Sequence, residues 1–311
     1  MTRLIVRRVL WTIPVILLVI LMTFLLMRQI EGNPFRTSER AIPASIQANL
    51  EAKFGLDDPW WKQYVRYVKG VATFDLGPSL VLRNRDVNDI VREHFPPSLE
   101  LGALAMLFAL VFGIPLGLLA ALRANKWPDY TAMFVANVGF AVPSFLIATL
   151  LIYFFALRLK DYTGLPTNGW NGPSSWVLPV IALGIYPMTY FARLVRGTVL
   201  ETLQQDYIRT AKAKGLRWRI VVGKHVLRNS LIPAVTAAGP VPGGLITGSF
   251  IVETIFGIPG IGKYYVTAVT GRDYSVVMGI TVLLSVIIIV ANLVVDILYG
   301  YLDPRIRDER T

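Results

Sequence analysis

Residues 274–295 read YSVVMGITVLLSVIIIVANLVV, a stretch of 22 residues that contains no charged side chain. An α-helix rises about 1.5 Å per residue, so about 20 consecutive apolar residues cross the roughly 30 Å hydrocarbon core of a bilayer. The stretch therefore predicts a transmembrane helix near the end of the sequence.

Five more uncharged runs of 17 to 28 residues precede this stretch. They cover residues 9–27, 101–122, 130–157, 176–192 and 231–252. Of the 311 residues, 54% are hydrophobic and only 16% are charged, and an apolar surplus of this size has to face lipid. We therefore predict an all-α, polytopic membrane protein with six transmembrane helices.

The basic residues indicate the orientation of these helices. With the N-terminus in the cytoplasm, the short inner segments hold 17 Lys and Arg residues, the short outer loops hold four, and the long segment 28–92 holds ten. Because short cytoplasmic loops carry an excess of Lys and Arg, both termini are predicted to be cytoplasmic. Inner loops and anionic lipid then explain the net charge of +11, and no nucleic-acid partner is expected.

A cleaved signal peptide is the alternative interpretation of residues 9–27. We disfavour it because a run of 19 apolar residues exceeds the usual signal core, and no A-x-A cleavage site follows it.

The sequence offers little for catalysis. It contains no Cys, and its two His, His94 and His225, lie far apart, so no metal site is expected. Residues 257–264, GIPGIGKY, nearly match a phosphate-binding loop, but Tyr264 stands at the hydroxyl position and Pro259 removes a backbone donor. We expect no catalytic residue, metal or cofactor on this chain.

Two other classes of membrane protein are alternatives. A secondary transporter needs an ionisable coupling group near the bilayer midplane, and apart from Asp296 near a helix end the runs offer none. A membrane enzyme needs a cluster of nucleophile, base or metal ligands, and no such cluster is visible in the sequence.

The segment between the first two runs has a different composition. Residues 31–95 mix prolines with acidic and basic residues, which predicts a small helical insertion outside the membrane. Trp60, Tyr64, Tyr67 and Val71 recur at helical spacing, and we interpret this stripe as core or membrane-interface packing rather than a ligand site. The predicted division is 1–95, the first transmembrane helix with a periplasmic insertion, and 96–311, a domain with five transmembrane helices.

A long segment between the fourth and fifth runs, residues 193–230, predicts two short helices joined at a glycine corner, Gly215. Leu200, Leu203, Tyr207 and Ala211 are predicted to share one helical face. From composition alone, a basic amphipathic hairpin resting on anionic lipid is one interpretation of this segment.

A more specific interpretation comes from the sequence DYIRTAKAKGL at residues 206–216. It resembles the coupling loop of bacterial ATP-binding cassette (ABC) importer permeases, in which an E-A-A-x-x-x-G core docks on a cytoplasmic ATPase. Arg209, Thr210 and Ala211 take the leading positions and Gly215 takes the glycine. The acidic first residue is replaced and the usual proline comes later, at Pro233; both departures resemble the peptide and nickel branch. The resemblance implies the following coupling residues: Asp206, Tyr207, Arg209, Thr210, Ala211, Lys212, Gly215 and Leu216.

The likeness to this branch extends over the whole chain, through residues 28–34, 74–79, 253–262, 292–296 and 303–305. The external insertion, with NPF at 33–35 and VNDI at 87–90, looks closest to the B-type permease of oligopeptide importers. Permeases for dipeptides, glutathione or nickel are the alternatives within the family.

The resemblance implies a type I ABC importer (MetI-like) permease fold in the bacterial inner membrane, with a coupling loop at about residues 198–232. It implies a similar permease as heterodimer partner, two cytoplasmic ATPases that bind ATP and Mg, and a periplasmic or lipoprotein peptide-binding protein. The chain itself would form half of a peptide pathway within membrane lipid.

Polar and small residues inside the runs are the remaining candidates. Asn137, Asn292 and Asp296 either line the pathway or connect helices, and Asp296 is expected to pair with Arg193 or Arg196. Glycine pairs four residues apart, which permit close helix approach, occur at 113/117, 239/243 and 244/248. With two prolines at 240 and 242, they predict a kinked fifth span that lines the pathway.

Overall fold

The computed structural model describes residues 2–29, 55 and 57–302, apart from the side chains of 2–9, 247–248, 296 and 298–302. These residues form helices and no β-strand, with a single isolated bridge between Pro78 and Asp86. The all-α prediction is confirmed. The motifs at 30–35 and 303–305 lie outside the described residues.

The helices follow one another along the whole described chain. They are α1 (Thr2–Gln29), α2 (Trp60–Ala72), α3 (Val87–Leu122), α4 (Trp127–Ala141), α5 (Ser144–Leu151), α6 (Lys160–Thr163), α7 (Pro173–Leu203), α8 (Asp206–Ala213), α9 (Trp218–Ile220), α10 (Leu227–Ala237), α11 (Val241–Phe256), α12 (Gly262–Gly271) and α13 (Tyr274–Leu302). Two stretches, Ile152–Arg158 after α5 and Val221–Val226 before α10, are π-helical.

The membrane spans agree in position with the predicted runs. Within the described part of the chain, four single helices contain segments long and apolar enough to cross a membrane: Leu10–Gln29, Val87–Leu122, Pro173–Leu203 and Tyr274–Val295. The number rises to six if each of two bent pairs is one span: Trp127–Ala141 with Ser144–Arg158, and Trp218–Ala237 with Val241–Phe256.

The third span is not the continuous helix that the uncharged run 130–157 suggests. The helix axis bends by 107° between its two halves. Pro143 causes the break, because it has no amide hydrogen for the carbonyl of Gly139 and it holds the preceding Val142 extended. The fifth span bends by 50° at Pro240, and the predicted kink is confirmed.

The described chain forms two compact units, which we treat separately. Among the described residues, one unit is centred on 99–258, with 2–5 and 288–302; the other joins 6–29, 55 and 57–98 to 259–287. The boundary between residues 95 and 96 stays a prediction.

The first unit is packed around α7, and two glycines of α3 let α7 approach closely. A Cβ added at Gly113 would lie 2.5 Å from the carbonyl oxygen of Met188, and one at Gly117 would collide with the carbonyl oxygen of Ala192. Gly113 and Gly117 therefore permit the close helix approach that their spacing predicts.

The glycines in α11 and just before it differ in how close their neighbours are. Gly239 faces Asn292 and Gly243 faces Ile288, both on α13, so this pair also permits close packing. A Cβ added at Gly244 would meet no atom within 4 Å. Close packing at Gly244 was therefore a wrong prediction, because this glycine faces open space.

In the second unit, a buried carboxylate and an apolar cluster hold the described part of the segment between α1 and α3. Asp273 accepts hydrogen bonds from the amides of Leu80 (3.1 Å) and Val81 (3.3 Å) and from the Ser79 hydroxyl. Three members of the predicted stripe, Tyr64, Tyr67 and Val71, pack on an apolar cluster of α1 and α13, which confirms the packing interpretation for them. The fourth, Trp60, is half exposed.

Candidate functional site

The segment after α7 forms a hairpin, which we call the basic hairpin (residues 206–226). Helix α7 ends at Leu203, and Gln205 is extended before α8 begins. This break shifts the helical register, so the predicted face through Leu200, Leu203, Tyr207 and Ala211 is wrong at Tyr207. The Tyr207 side chain is 41% exposed, and the neighbouring Ile208 is fully buried instead.

Gly215 forms the corner of the basic hairpin, as the sequence predicts. Its φ of +74° lies in the left-handed region, which costs a residue with a Cβ about 1 to 2 kcal/mol. The amide of Gly215 donates to the Lys212 carbonyl (2.9 Å), and the amide of Leu216 donates to the Ala211 carbonyl (3.4 Å). These two bonds form a Schellman cap, which ends α8 and turns the chain sharply.

The two sides of the basic hairpin differ in chemistry. Ile208 and Ala211 belong to a buried apolar cluster with Val221, Val226 and, on α7, Val199. On the other side, every residue from 212 to 220 is exposed. The exposed cations of the turn and its flanks are Arg209, Lys212, Lys214, Arg217 and Arg219. The basic hairpin thus presents a charged surface on an apolar base.

The remaining predicted coupling residues lie on this exposed side. Asp206 begins α8 and forms an exposed ion pair with Arg209 at 3.6 Å, and its carbonyl accepts the Thr210 hydroxyl at 3.0 Å. The Tyr207 hydroxyl accepts a hydrogen bond from the Asn229 side chain at 2.8 Å. This bond connects α8 to α10.

Lys212 and Trp218 face each other across the Gly215 corner. The Lys212 Nζ lies 4.9 Å from the centre of the Trp218 ring. A cation over an indole face is attractive. Both arms of the exposed turn are therefore held together by a side-chain contact.

An ion pair that the sequence did not predict joins α4 to α7. Asp129 is buried, and Arg196 binds it with two hydrogen bonds, Nε to Oδ1 at 2.6 Å and Nη2 to Oδ2 at 2.8 Å. The amide of Asn125 also donates to Asp129 at 2.9 Å. An acidic residue in the first turn of α4 was the only available signal, and it did not identify a partner 67 residues away.

This pair changes the expectation for Asp296. Arg196 is bound to Asp129, and the Arg193 guanidinium lies 3.9 Å from the centre of the Phe140 ring. The side chain of Asp296 lies outside the described residues, so its partner stays a prediction.

A cavity of about 610 Å³ lies in the same unit, between the bend of α4 and α5, the middle of α7, and the bend of α10 and α11. Its walls consist of Phe140, Ala141, Val142, Pro143, Ser144, Ile147, Leu183, Ile185, Tyr186, Pro187, Tyr190, Ala237, Pro240, Val241, Gly244 and Leu245. No wall residue carries a charge. The polar side chains in the wall are those of Ser144, Tyr186 and Tyr190.

The candidate polar residues Asn137 and Asn292 are not in the cavity wall. Asn137 is exposed on α4. Asn292 donates to the Ile288 carbonyl on its own helix at 2.8 Å and faces Gly239 at the end of α10. The structure thus places Asn292 at a contact between helices.

The cavity lies where irregular backbone interrupts the spans. Within hydrocarbon, unpaired backbone groups are tolerated only where they are buried in protein or line a cavity. Pro143, Pro187 and Pro240 each remove one helical hydrogen bond beside this cavity. Broken spans of this kind are typical of solute pathways in transporters.

The spans, the uncharged cavity and the basic hairpin together define a multi-pass membrane subunit of a solute transporter. Residues 113–308 match the family described as "Binding-protein-dependent transport system inner membrane component", and residues 1–79 match the N-terminal region described for such membrane components. The chain belongs to this family, and the family predicted from its motifs is confirmed.

Two relatives match the chain over nearly its whole length. The dipeptide transport system permease protein DppB of Bacillus subtilis (strain 168) is 46% identical, over 99% of this chain and 98% of the relative. The oligopeptide transport system permease protein OppB of Escherichia coli (strain K12) is 43% identical, over 99% of this chain and 100% of the relative.

Solved structures support the fold. A chain of the MetNI methionine ABC transporter, in inward-facing conformations, superposes with a TM-score of 0.55 at 19% identity, over 69% of this chain and 96% of that chain. A chain of an amino acid ABC transporter gives a TM-score of 0.50 at 19% identity, over 70% of this chain and 94% of that chain. The MetI-like permease fold is therefore confirmed.

Proposed function

We propose that the chain is the non-catalytic permease subunit of an ATP-driven importer for peptides in a bacterial inner membrane, with both termini in the cytoplasm. The basic hairpin carries this proposal, because a charged turn fixed on an apolar base is suited to dock on another protein. A similar permease completes the pathway, two ATPases bind ATP and Mg beneath it, and a binding protein delivers peptide from outside.

Helix α7 supplies a physical connection between docking and transport. Val199 packs on the base of the basic hairpin, while Pro187 lines the cavity twelve residues, about 18 Å, away along the same helix. Arg196 attaches Asp129 of α4 to this helix, and α4 ends in the cavity wall. A displacement of the basic hairpin by the ATPases would therefore move two walls of the cavity together.

The cavity chemistry supports a peptide substrate. Uncharged walls with a few hydroxyl groups can bind peptides of varied sequence weakly, which allows release on the other side. The names of the relatives include both oligopeptide and dipeptide systems, and we favour oligopeptides because of the external insertion. Competition between labelled peptides of two and of five residues in vesicles would decide between them.

A corner variant tests the docking role of the basic hairpin. Gly215→Pro forces φ negative and removes the bond from the Gly215 amide to Lys212, so the corner is lost while the spans are unaffected. In vesicles containing the whole importer, we expect peptide uptake and peptide-stimulated ATP hydrolysis to fall at least tenfold. Gly223→Ala, at an exposed glycine with free space around it, is the matched control. Normal uptake in Gly215→Pro would show that another surface docks on the ATPases.

A second variant tests the cavity separately. Gly244→Trp places a large ring in the open space of the cavity wall, so uptake should stop while stimulation of ATP hydrolysis by the binding protein persists. Unchanged uptake would exclude this cavity as the pathway. Uptake by the chain alone, driven by a proton gradient, would instead support the secondary-transporter alternative.

A further inference from the structure

Arg193 directly follows the uncharged run 176–192, and its side chain points back into this span. The guanidinium carbon lies 3.9 Å from the centre of the Phe140 ring on α4. That ring stacks on Tyr186 with 5.0 Å between the ring centres, and Tyr186 precedes Arg193 by seven residues, about 10 Å along α7. A long cation near the end of a span usually extends outwards to the headgroups, so the inward direction of Arg193 requires a specific reason.

The contacts of Arg193 place it at the edge of the cavity. Tyr186, Tyr190 and Arg193 occur at positions i, i+4 and i+7, so they share one face of α7. Tyr186, Tyr190 and Phe140 are wall residues of the cavity. Helical side chains lean towards the N-terminus of their helix, which directs Arg193 towards Tyr190. The guanidinium therefore lies at the end of the cavity nearest the basic hairpin, whose base packs on Val199 of the same helix.

The two arginines at this end of α7 differ in their partners. Arg196 is bound by the Asp129 carboxylate. Among the described residues, the Arg193 guanidinium has no ion pair and no hydrogen bond, and its contact is with the Phe140 ring. One turn further along α7, Gly197 is exposed, and a Cβ added there would meet no atom within 4 Å. The space beside Arg193 is thus open, and a cation within a span normally faces a cavity and has an anionic partner.

A transported peptide would bring such an anion, and this step rests on the function proposed above. Every unmodified peptide ends in a carboxylate, whatever its sequence. Transfer of that carboxylate from water into an uncharged cavity is costly unless a cation binds it. A guanidinium suits this task, because it donates two parallel hydrogen bonds to a carboxylate.

We propose that Arg193 is a specificity-determining residue that binds the C-terminal carboxylate of the peptide at the end of the cavity nearest the basic hairpin. The Phe140 ring holds the guanidinium at the cavity edge through a cation–π contact. The uncharged walls make no demand on the charge of the peptide side chains. The pathway thereby combines a requirement for a free C-terminus with tolerance of sequence.

Two labelled peptides of five residues, one with a free C-terminal carboxylate and one with a C-terminal amide, test this role. Uptake of each is measured in vesicles that contain the whole importer, at concentrations that saturate the binding protein. The ratio of the two rates is the readout, because differences in folded yield cancel in it. We expect the parent importer to favour the free acid about tenfold, which is the contribution of one hydrogen bond between charged groups. Arg193→Gln should reduce this ratio by about fivefold or more.

Two further variants separate charge from packing and from net charge. Arg193→Lys keeps a cation beside Phe140 and should retain most of the preference for the free acid. Arg123→Gln removes the same charge from an exposed position between α3 and α4 and should leave the ratio unchanged. An unchanged ratio in Arg193→Gln, or an equal loss in Arg193→Lys or in Arg123→Gln, would overturn the proposal.

Asp296, whose side chain lies outside the described residues, is the competing partner of Arg193. We expect Asp296→Asn to leave the ratio unchanged. If an ion pair with Asp296 neutralised Arg193, this variant would instead raise the ratio above that of the parent, which would also overturn the proposal. Failure of the parent importer to take up either peptide would overturn the proposed function and this inference with it. Uptake of both peptides at a ratio that Arg193→Gln does not change would overturn this inference alone.

Discussion

The basic hairpin and the cavity are both connected to α7, yet they are built in opposite ways. The hairpin has an apolar base, a capped corner at Gly215 and cations on its exposed side. The cavity has uncharged walls, and two of the spans that form them bend at Pro143 and Pro240. A surface that transmits force needs a fixed shape, whereas a pathway needs weak contacts and backbone that can change direction. Each of the following variants tests one side of this comparison.

The largest effect is expected where the two regions are joined, at the buried pair of Asp129 and Arg196. Asp129→Ala leaves Arg196 without its partner in a mostly buried place, which should destabilise the protein by about 3 kcal/mol. Fluorescence-detected gel filtration after heating measures the loss of folded protein.

The exposed pair of Asp206 and Arg209 provides the control for this variant. Asp206→Ala should leave the melting temperature unchanged, because exposed ion pairs contribute little. If both variants melt alike, the pair between α4 and α7 does not hold the cavity wall to the hairpin helix.

The next-largest effect is expected at the close packing of α3 against α7, because α7 must stay firmly packed if it connects the hairpin to the cavity. Gly117→Ala places a methyl group against the Ala192 carbonyl, so α3 and α7 must separate, at a cost of about 2 kcal/mol. Gly197→Ala is the control on α7, since no atom lies within 4 Å of an added Cβ there. A melting temperature that falls equally in both variants would contradict close packing as the cause.

A smaller effect is expected at the corner of the hairpin. Gly215→Ala keeps the amide and adds only the left-handed penalty of about 1 kcal/mol, so the corner should loosen without loss of folded protein. Hydrogen exchange of residues 206–226 should quicken about fivefold, while exchange in α7 stays unchanged. Faster exchange throughout α7 would mean that the hairpin is not an independent element.

The sequence predicts best those features that a single residue determines. Gly215 requires a positive φ, and Pro240 removes a donor, so both the corner and the kink were predicted correctly. The break between α7 and α8 at Gln204 and Gln205 has no such signal, because neither residue is a glycine or a proline. That is why Tyr207 was assigned to the buried face.

Features that depend on distant residues could not be predicted. The partner of Asp129 is Arg196 on another helix, and no local pattern selects it from the other arginines near that end of the spans. Gly244 shares its spacing with glycines that pack closely, but the neighbouring bend opens a cavity beside it. Glycine spacing shows where another helix could approach closely, and only the tertiary structure shows whether a helix or a cavity lies at that position.

The smallest expected effect separates the shape of the basic hairpin from its charge. Tyr207→Phe removes only the hydroxyl that accepts the Asn229 side chain, a loss of about 1 kcal/mol, and leaves every cation in place. If docking depends on a fixed shape, ATP hydrolysis stimulated by peptide should fall about two- to fivefold, and Tyr162→Phe, at an exposed tyrosine of the short helix α6, should have no effect. If docking depends on charge alone, Tyr207→Phe should behave like the parent protein while Arg209→Gln weakens the stimulation. The first outcome would support the view that α8 must be held to α10 before the hairpin can move the cavity walls. The second would show that docking does not require this fixed shape of the hairpin.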